Sequence, residues 1–167
     1  MDFFVVARSG EHGQEEDGTG GLTQLGRRQS RSLAREISAG LVHNGIESAL
    51  LMHAQFGGLF YTARQETAKL IAREVGIPEG EIQILVSAAP DQTDIEFGVL
   101  FELLKSRRCA ILVTSSEHAG PMVDEASERL LGEIVVRTPR LNPGQAYILE
   151  LGRRRCRLMR PSLAPYF

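Results

Sequence analysis

The chain has 167 residues, which suits one domain with a hydrophobic core of its own. Its composition, 43% hydrophobic and 24% charged, lies inside the range of folded globular proteins and excludes the disordered and fibrous classes. Nineteen basic and 21 acidic residues give a net charge of −2, which argues against nucleic acid as a required partner.

Strand and helix patterns alternate along residues 3–131 of the chain. Phe3–Ala7 is a short apolar run typical of a buried parallel strand, and a polar, Gly-rich loop over residues 11–21 follows it. Thr23 can cap a helix whose apolar positions recur at four- and eight-residue steps. Further strands are predicted at 49–52, 82–86 and 110–114, and further helices at 59–75, 94–104 and 120–131.

The pattern of the chain changes after residue 132. Glu133–Arg137, Gln145–Leu151 and Cys156–Arg160 are strand-like runs separated by Pro and Gly. Because alternating strands and helices favour parallel pairing, we expect a three-layer α/β/α sandwich with a mostly parallel sheet and an antiparallel C-terminal edge hairpin. All 167 residues would form one domain.

Ligands of open α/β sheets gather beyond the carboxyl ends of the strands. The segments after Ala7, Met52 and Thr114 should therefore converge and carry any chemistry.

The cysteines and the first residues bear on location. Cys109 and Cys156 fall in strand-like runs, without the spacing of a disulfide framework or a metal site, and are expected to be buried thiols. The start, Met1-Asp2, lacks the basic residues of a signal peptide, and no apolar run approaches roughly 18 residues. We expect a cytoplasmic protein with no membrane partner.

Four segments carry a resemblance to a known family. They are Arg8-Ser9-Gly10-Glu11 after the first strand, Asp17 with Leu22–Gln29, Arg64–Ala68, and Ile111–Ser115. In these motifs the chain resembles the histidine phosphatase superfamily, which has the phosphoglycerate mutase-like fold, and especially its small bacterial phosphohistidine phosphatase branch. The resemblance covers nearly the whole chain.

The departures from the family pattern concern its catalytic residues. The resemblance implies that Ser9 stands where the family has its nucleophilic His, and Ser115 where it has the second His. A serine hydroxyl needs an adjacent base to attack phosphorus, so the family mechanism is predicted not to operate. Arg8 matches the first arginine of the phosphate pocket. The second is expected at Ala63, and Arg64 would be rotated from that position by about 100° on a helix.

The leading hypothesis is a binding or regulatory module without phosphohistidine catalysis. Its ligand would be phosphate or a phosphorylated small molecule or protein, and no cofactor is expected. A helix N-terminus and serine hydroxyls can hold phosphate without transferring it. The predicted ligand-binding residues are Arg8, Ser9, Gly10, Arg64, Ser115 and Ser116.

Two near copies of one sequence suggest an active alternative. Ser9-Gly10-Glu11-His12 and Ser115-Ser116-Glu117-His118 each begin where the family has a catalytic His. His12 or His118 could act as a displaced nucleophile. Alternatively, Glu11, His12, Glu117 and His118 could bind zinc or another divalent ion, making the protein a phosphatase or hydrolase. Chance similarity of solvated loop residues is the simpler interpretation.

Three further features have weaker signals. Ser9, His118 and Glu117 supply the residue types of a hydrolase triad, but the Gly-x-Ser-x-Gly elbow is missing. His53, at the end of its predicted strand, is expected to be structural. The run Arg153–Arg155 is expected to form a solvated hairpin tip, with a docking patch for an acidic partner as the alternative.

Overall fold

A computed structural model of the protein describes residues 1–13, 20–56, 62–87, 98, 100–102 and 104–162. These residues form a six-stranded sheet in the order β3-β2-β4-β1-β5-β6. The first four strands pair in parallel, and β5 and β6 form an antiparallel hairpin along β1. The strands are β1 (Phe3–Arg8), β2 (Leu50–Phe56), β3 (Gln83–Ser87), β4 (Cys109–Thr114), β5 (Ala146–Glu150) and β6 (Arg155–Met159).

In the described part of the chain, three long helices cover the sheet: α1 (Gln24–His43), α2 (Thr62–Val75) and α3 (Ser116–Leu131). A 3-10 turn lies at Glu79–Glu81. Thr23 caps α1, as predicted, by accepting a hydrogen bond from the Gly26 N–H. Most of the helix predicted over 94–104 lies outside the described residues, but 98, 100–102 and 104 are helical. Within the described ranges, no helix has the length and apolarity needed to cross a membrane.

Two hydrophobic clusters define the layers. Alternate residues of β1 point to opposite faces, so that Phe4 and Val6 join one cluster and Val5 and Ala7 the other. The first cluster includes residues of α3, and the second includes residues of α1 and α2. The three-layer sandwich with its antiparallel edge hairpin is therefore confirmed.

Two predictions of secondary structure need correction. The strand predicted at Glu133–Arg137 is wrong. This segment is irregular, with Ile134 and Val136 exposed, and it is held to α3 because the Val135 N–H donates to Ser127 Oγ. The fourth predicted helix starts at Ser116 rather than at Gly120.

Of the two cysteines, Cys109 is buried in β4, and Cys156 is half-buried in β6.

Two glycines fix the segment after β1 against α1. A Cβ on Gly26 would lie 1.9 Å from the Glu11 carbonyl oxygen, and a Cβ on Gly10 would lie 2.3 Å from the Gly26 carbonyl oxygen. Any side chain at either position would force these backbones apart. The first turn of α1 thereby sets the position of the residues that follow β1.

Candidate functional site

The ends of β1 and β4 bring two predicted site segments together. Arg8 is paired with Thr114 in the parallel ladder, and the Ser9 N–H donates to the Thr114 carbonyl 3.2 Å away. Ser9 directly follows Arg8, and Ser115 directly follows Thr114, so both serines lie just beyond the last pair of this ladder. β2 lies on the other side of β4, with His53 paired with Val113. The predicted convergence is observed for the segments after β1 and β4, whereas residues 57–61, which follow β2, lie outside the described residues.

Backbone hydrogen bonds hold the turn after β1. Ser9 is buried, and its carbonyl accepts from the Gly144 N–H at 3.2 Å. The buried Gly10 N–H donates to Thr67 Oγ1 of α2 at 3.3 Å, and Thr67 Oγ1 lies 3.1 Å from Ser30 Oγ of α1. Helices α1 and α2 therefore both fix the turn that carries Ser9 and Gly10.

Arg8 is half-buried at the last position of β1. Its Nη1 donates to the Leu141 carbonyl at 2.7 Å. Burial, and secondarily the neighbouring Arg140, lowers the pKa of Arg8 below its usual value. A guanidinium group stays protonated in proteins, so Arg8 remains a cation at neutral pH. A carbonyl partner leaves its full positive charge at the strand end.

Arg64 is a buried cation on the first turn of α2. Its Nη1 lies 3.4 Å from the Ala54 carbonyl of β2. It also lowers the pKa of His118, which requires the two side chains to lie near one another. Ala63, at the family-like position, is buried as well. The structure therefore places Arg64 at the same edge of the sheet as Ser115 and His118.

A serine–histidine contact that the sequence analysis did not single out lies at the start of α3. Ser115 is the N-cap residue, but its hydroxyl makes no capping bond and instead lies 2.7 Å from His118 Nδ1. Burial, followed by Arg64, lowers the pKa of His118, while Glu117 opposes the shift. The imidazole is therefore neutral at pH 7. The three-residue spacing would have indicated this contact had the helix start been placed at Ser116.

The remaining polar groups around Ser115 suit a hydrogen-bonding ligand. Ser116 is the half-buried first residue of α3, where backbone N–H groups lack intrahelical partners. The Thr114 hydroxyl is fully buried and has no hydrogen-bond partner among the described residues. A buried hydroxyl without a partner is unfavourable, and a polar ligand at this edge could relieve it.

The structure does not support the hypothesis of a divalent metal site. No group of three or more potential ligands forms among the described residues, which include Glu11, His12, Glu117 and His118. The Thr23 hydroxyl donates to Glu11 Oε1, His12 Nδ1 faces the Gly13 carbonyl, and Glu117 is exposed. The two copies therefore do not present their Glu-His pairs to a common ion.

The triad hypothesis also needs correction. His118 contacts the hydroxyl of Ser115, not that of Ser9 as the hypothesis required. His12 is exposed, and its backbone forms an isolated bridge with Leu22.

His53 is buried within β2 rather than at its end. Burial lowers the pKa of His53, and Arg64 and Lys69 lower it further, whereas a hydrogen bond with the backbone of Ala54 acts to raise it.

Known structures share this architecture. An Escherichia coli protein proposed to be an alpha-ribazole-5'-P phosphatase matches with a TM-score of 0.57 and 14% identity over 96% of both chains. A proposed phosphohistidine phosphatase SixA from Agrobacterium tumefaciens matches with a TM-score of 0.57 and 13% identity, over 96% of this chain and 98% of that one. The protein histidine phosphatase SixA complexed with tungstate matches over 99% of both chains, with a TM-score of 0.55 and 14% identity.

These matches establish the phosphoglycerate mutase-like fold. No family profile matches the sequence, and no curated protein matches it significantly.

Proposed function

We propose that this protein binds phosphate, or the phosphate group of a small molecule or protein, at the carboxyl ends of β1 and β4, and acts as a binding or regulatory module. Arg8, Arg64, Ser9, Gly10, Ser115 and Ser116 form the site. Catalysis by the family mechanism is not expected, because Ser9 and Ser115 stand where that mechanism requires histidines.

One observation carries the proposal: two arginines, the half-buried Arg8 and the buried Arg64, stand at this edge, and each donates a hydrogen bond to a backbone carbonyl. The Leu141 carbonyl orients the Arg8 guanidinium group without neutralising it. Arg64 is only 7% exposed, so its field is weakly screened by water. An oxyanion beside both arginines and the start of α3 would meet charge and hydrogen-bond donors together.

The comparison structures add support of a general kind. One of these structures is of SixA complexed with tungstate, which is a tetrahedral oxyanion like phosphate. Because ligands of open α/β sheets gather beyond the carboxyl ends of the strands, the ends of β1 and β4 are where such an ion would bind in this protein.

Calorimetry of the wild-type protein with inorganic phosphate and with phenyl phosphate tests the proposal. Arg64→Gln should weaken binding about tenfold or more, because a charge-assisted hydrogen bond is lost. Arg31→Gln is the matched control, since Arg31 is exposed on α1 and makes no hydrogen bond or ion pair with the described residues. Equal affinities in all three proteins would contradict the proposal.

The Ser115–His118 contact favours one second candidate, a hydrolase acting on phosphoesters or carboxylic esters. A neutral imidazole 2.7 Å from a hydroxyl can take its proton as Oγ attacks the substrate. The test is turnover of p-nitrophenyl phosphate and p-nitrophenyl acetate. Turnover that His118→Gln and Ser115→Ala both abolish would establish the second candidate, whereas absence of turnover supports the binding module.

A further inference from the structure

A cavity lined by arginines lies at the opposite end of the sheet from the candidate site. Its volume is about 630 Å³, and its lining includes Phe3, the first residue of β1, whereas the candidate site begins at Arg8, the last. Four of the protein's 17 arginines border this cavity together with two carboxylates. These residues, which we call the arginine cavity, are Arg108, Arg153, Arg155, Arg157, Asp2 and Glu150.

Glu150 organises the arginines of the edge hairpin. Its side chain is 8% exposed, and its two oxygens accept from Arg155 Nε at 2.5 Å and from Arg157 Nε at 2.7 Å. Burial acts to raise the pKa of Glu150, but the hydrogen bonds from Arg155 and Arg157 outweigh it, so the pKa lies below the usual value. Glu150 is therefore ionised at neutral pH.

The way these arginines are held leaves donors available. Both Arg155 and Arg157 contact Glu150 through Nε, and their terminal nitrogens have no hydrogen-bond partner among the described residues. Arg153 reaches Glu150 only at 3.9 Å and is 71% exposed. One carboxylate thus fixes two guanidinium groups from the side while their paired N–H donors remain open, the arrangement that binds phosphate in a bidentate manner.

Arg108 is the fourth arginine that lines the cavity. Its Nε donates to Asp2 at 2.8 Å, and its Nη1 donates to the Gly45 carbonyl at 3.0 Å, just beyond the end of α1. Four guanidinium groups against two carboxylates leave an excess of two positive charges. This excess stands out because the whole chain carries a net charge of −2.

We infer that the arginine cavity is a second anion site, separate from the strand-end site, and that it binds small ligands of the oligophosphate class. Two excess positive charges match a ligand with two or more negative groups. The volume lies within the range of small-molecule sites, which is about 300–1,000 Å³. Concave walls and bidentate donors favour a compact ligand over an extended acidic peptide.

Titration with inorganic tripolyphosphate, followed by calorimetry and by amide chemical shifts, tests this inference. Arg153→Gln should weaken binding, and Glu150→Gln/Arg155→Gln/Arg157→Gln should weaken it by about tenfold or more. The triple change removes the buried charge together with its partners, so no carboxylate is stranded, and circular dichroism checks the fold. Arg31→Gln, with the same charge change as Arg153→Gln, should have no effect.

The outcomes separate this site from the strand-end site. Shifts at residues 2–3 and 150–157, together with unchanged tripolyphosphate binding in Arg64→Gln, are expected. If Arg64→Gln removes the binding and the arginine-cavity variants retain it, or if tripolyphosphate does not bind, the inference is overturned. A poly-glutamate peptide that tripolyphosphate fails to displace from the cavity would overturn the assigned ligand class.

Discussion

The two ends of the sheet concentrate positive charge in different ways. At the strand ends, Arg8 and Arg64 donate to backbone carbonyls and are partly or wholly buried. In the arginine cavity, the side chains of Arg153, Arg155 and Arg157 are about half exposed or more and gather around one carboxylate. The first end therefore has fewer cations, and these are more deeply buried, whereas the second end has more cations that are partly neutralised and open to solvent.

This difference predicts two kinds of binding. A buried cation acts through a low effective dielectric and is fixed before the ligand arrives, which favours one anion in one geometry. Exposed guanidinium groups are screened by salt, so their affinity for an anion depends on how many of them contact it. The strand-end site should therefore be selective, and the arginine cavity should respond to total ligand charge.

The largest expected effect concerns the packing that fixes only the strand-end site. Gly26→Ala would place a methyl group 1.9 Å from the Glu11 carbonyl, so the segment after β1 and α1 must separate. We expect a loss of about 2–3 kcal/mol in the free energy of unfolding, measured by urea denaturation, and weaker phosphate binding.

Gly40→Ala is the control for this change, because it lies in the same helix with nothing within 4 Å of its added Cβ. It should raise stability by about 0.5–1 kcal/mol, as Ala does in a helix. If Gly26→Ala stabilises the protein as Gly40→Ala does, the packing of the segment onto α1 is wrong.

At the opposite end, the key residue is a carboxylate. Glu150→Gln keeps the side-chain shape but leaves Arg155 and Arg157 without an anion between them. Because these arginines are half exposed, we expect a loss of only about 1–2 kcal/mol in thermal or urea unfolding at pH 7. Since the pKa of Glu150 is lowered by folding, its contribution is present above its unfolded pKa and is lost as the pH falls through the folded value.

The difference between wild type and Glu150→Gln should therefore shrink in acid. A difference that is as large at pH 2 as at pH 7 would contradict the ionic role of Glu150.

The sequence predicted the layers better than the ends of the elements. Alternation of strands and helices was enough to predict the sandwich, because period and order determine which faces are buried. The strand predicted at Glu133–Arg137 failed because an apolar run has no strand character without a neighbour to pair with, and Ile134 and Val136 face solvent. That information is tertiary and is absent from a local pattern.

The residues of the candidate site were predicted only in part, again because tertiary contacts are absent from a local sequence pattern. Strand order places Ser9 beside Ser115, and motif frames found both positions along with Arg8. The Ser115–His118 contact depends on a helix start that was placed four residues late, and helix boundaries are the least certain feature of a sequence prediction. The burial of Arg64 depends on how α2 packs on the sheet, which one sequence does not show.

The free energy of unfolding should also depend on pH through two histidines of the strand-end region, His53 and His118. Folding lowers the pKa of both His53 and His118, chiefly through burial and secondarily through groups that include Arg64. Between the folded pKa and the unfolded pKa of about 6.5, the unfolded chain binds more protons, so stability falls as the pH decreases. The slope is at most about 1.4 kcal/mol per pH unit for each histidine.

His53→Gln tests this dependence, because it removes one titrating group without adding charge. The free energy of unfolding should then fall less steeply below pH 6.5 than in wild type. Parallel curves for His53→Gln and wild type would show that His53 titrates alike in both states.

The smallest expected effect separates the two anion sites by salt. Added sodium chloride shortens the Debye length to about 10 Å at 0.1 M and about 3 Å at 1 M, which screens exposed charges first. Between these concentrations, tripolyphosphate binding at the arginine cavity should weaken about tenfold. Phosphate binding beside the buried Arg64 should weaken only about threefold. Sodium acetate in place of chloride controls for direct competition by the anion. If both sites lose affinity equally, burial does not shield Arg64 from screening, and the contrast between the two ends of the sheet reduces to the number of arginines.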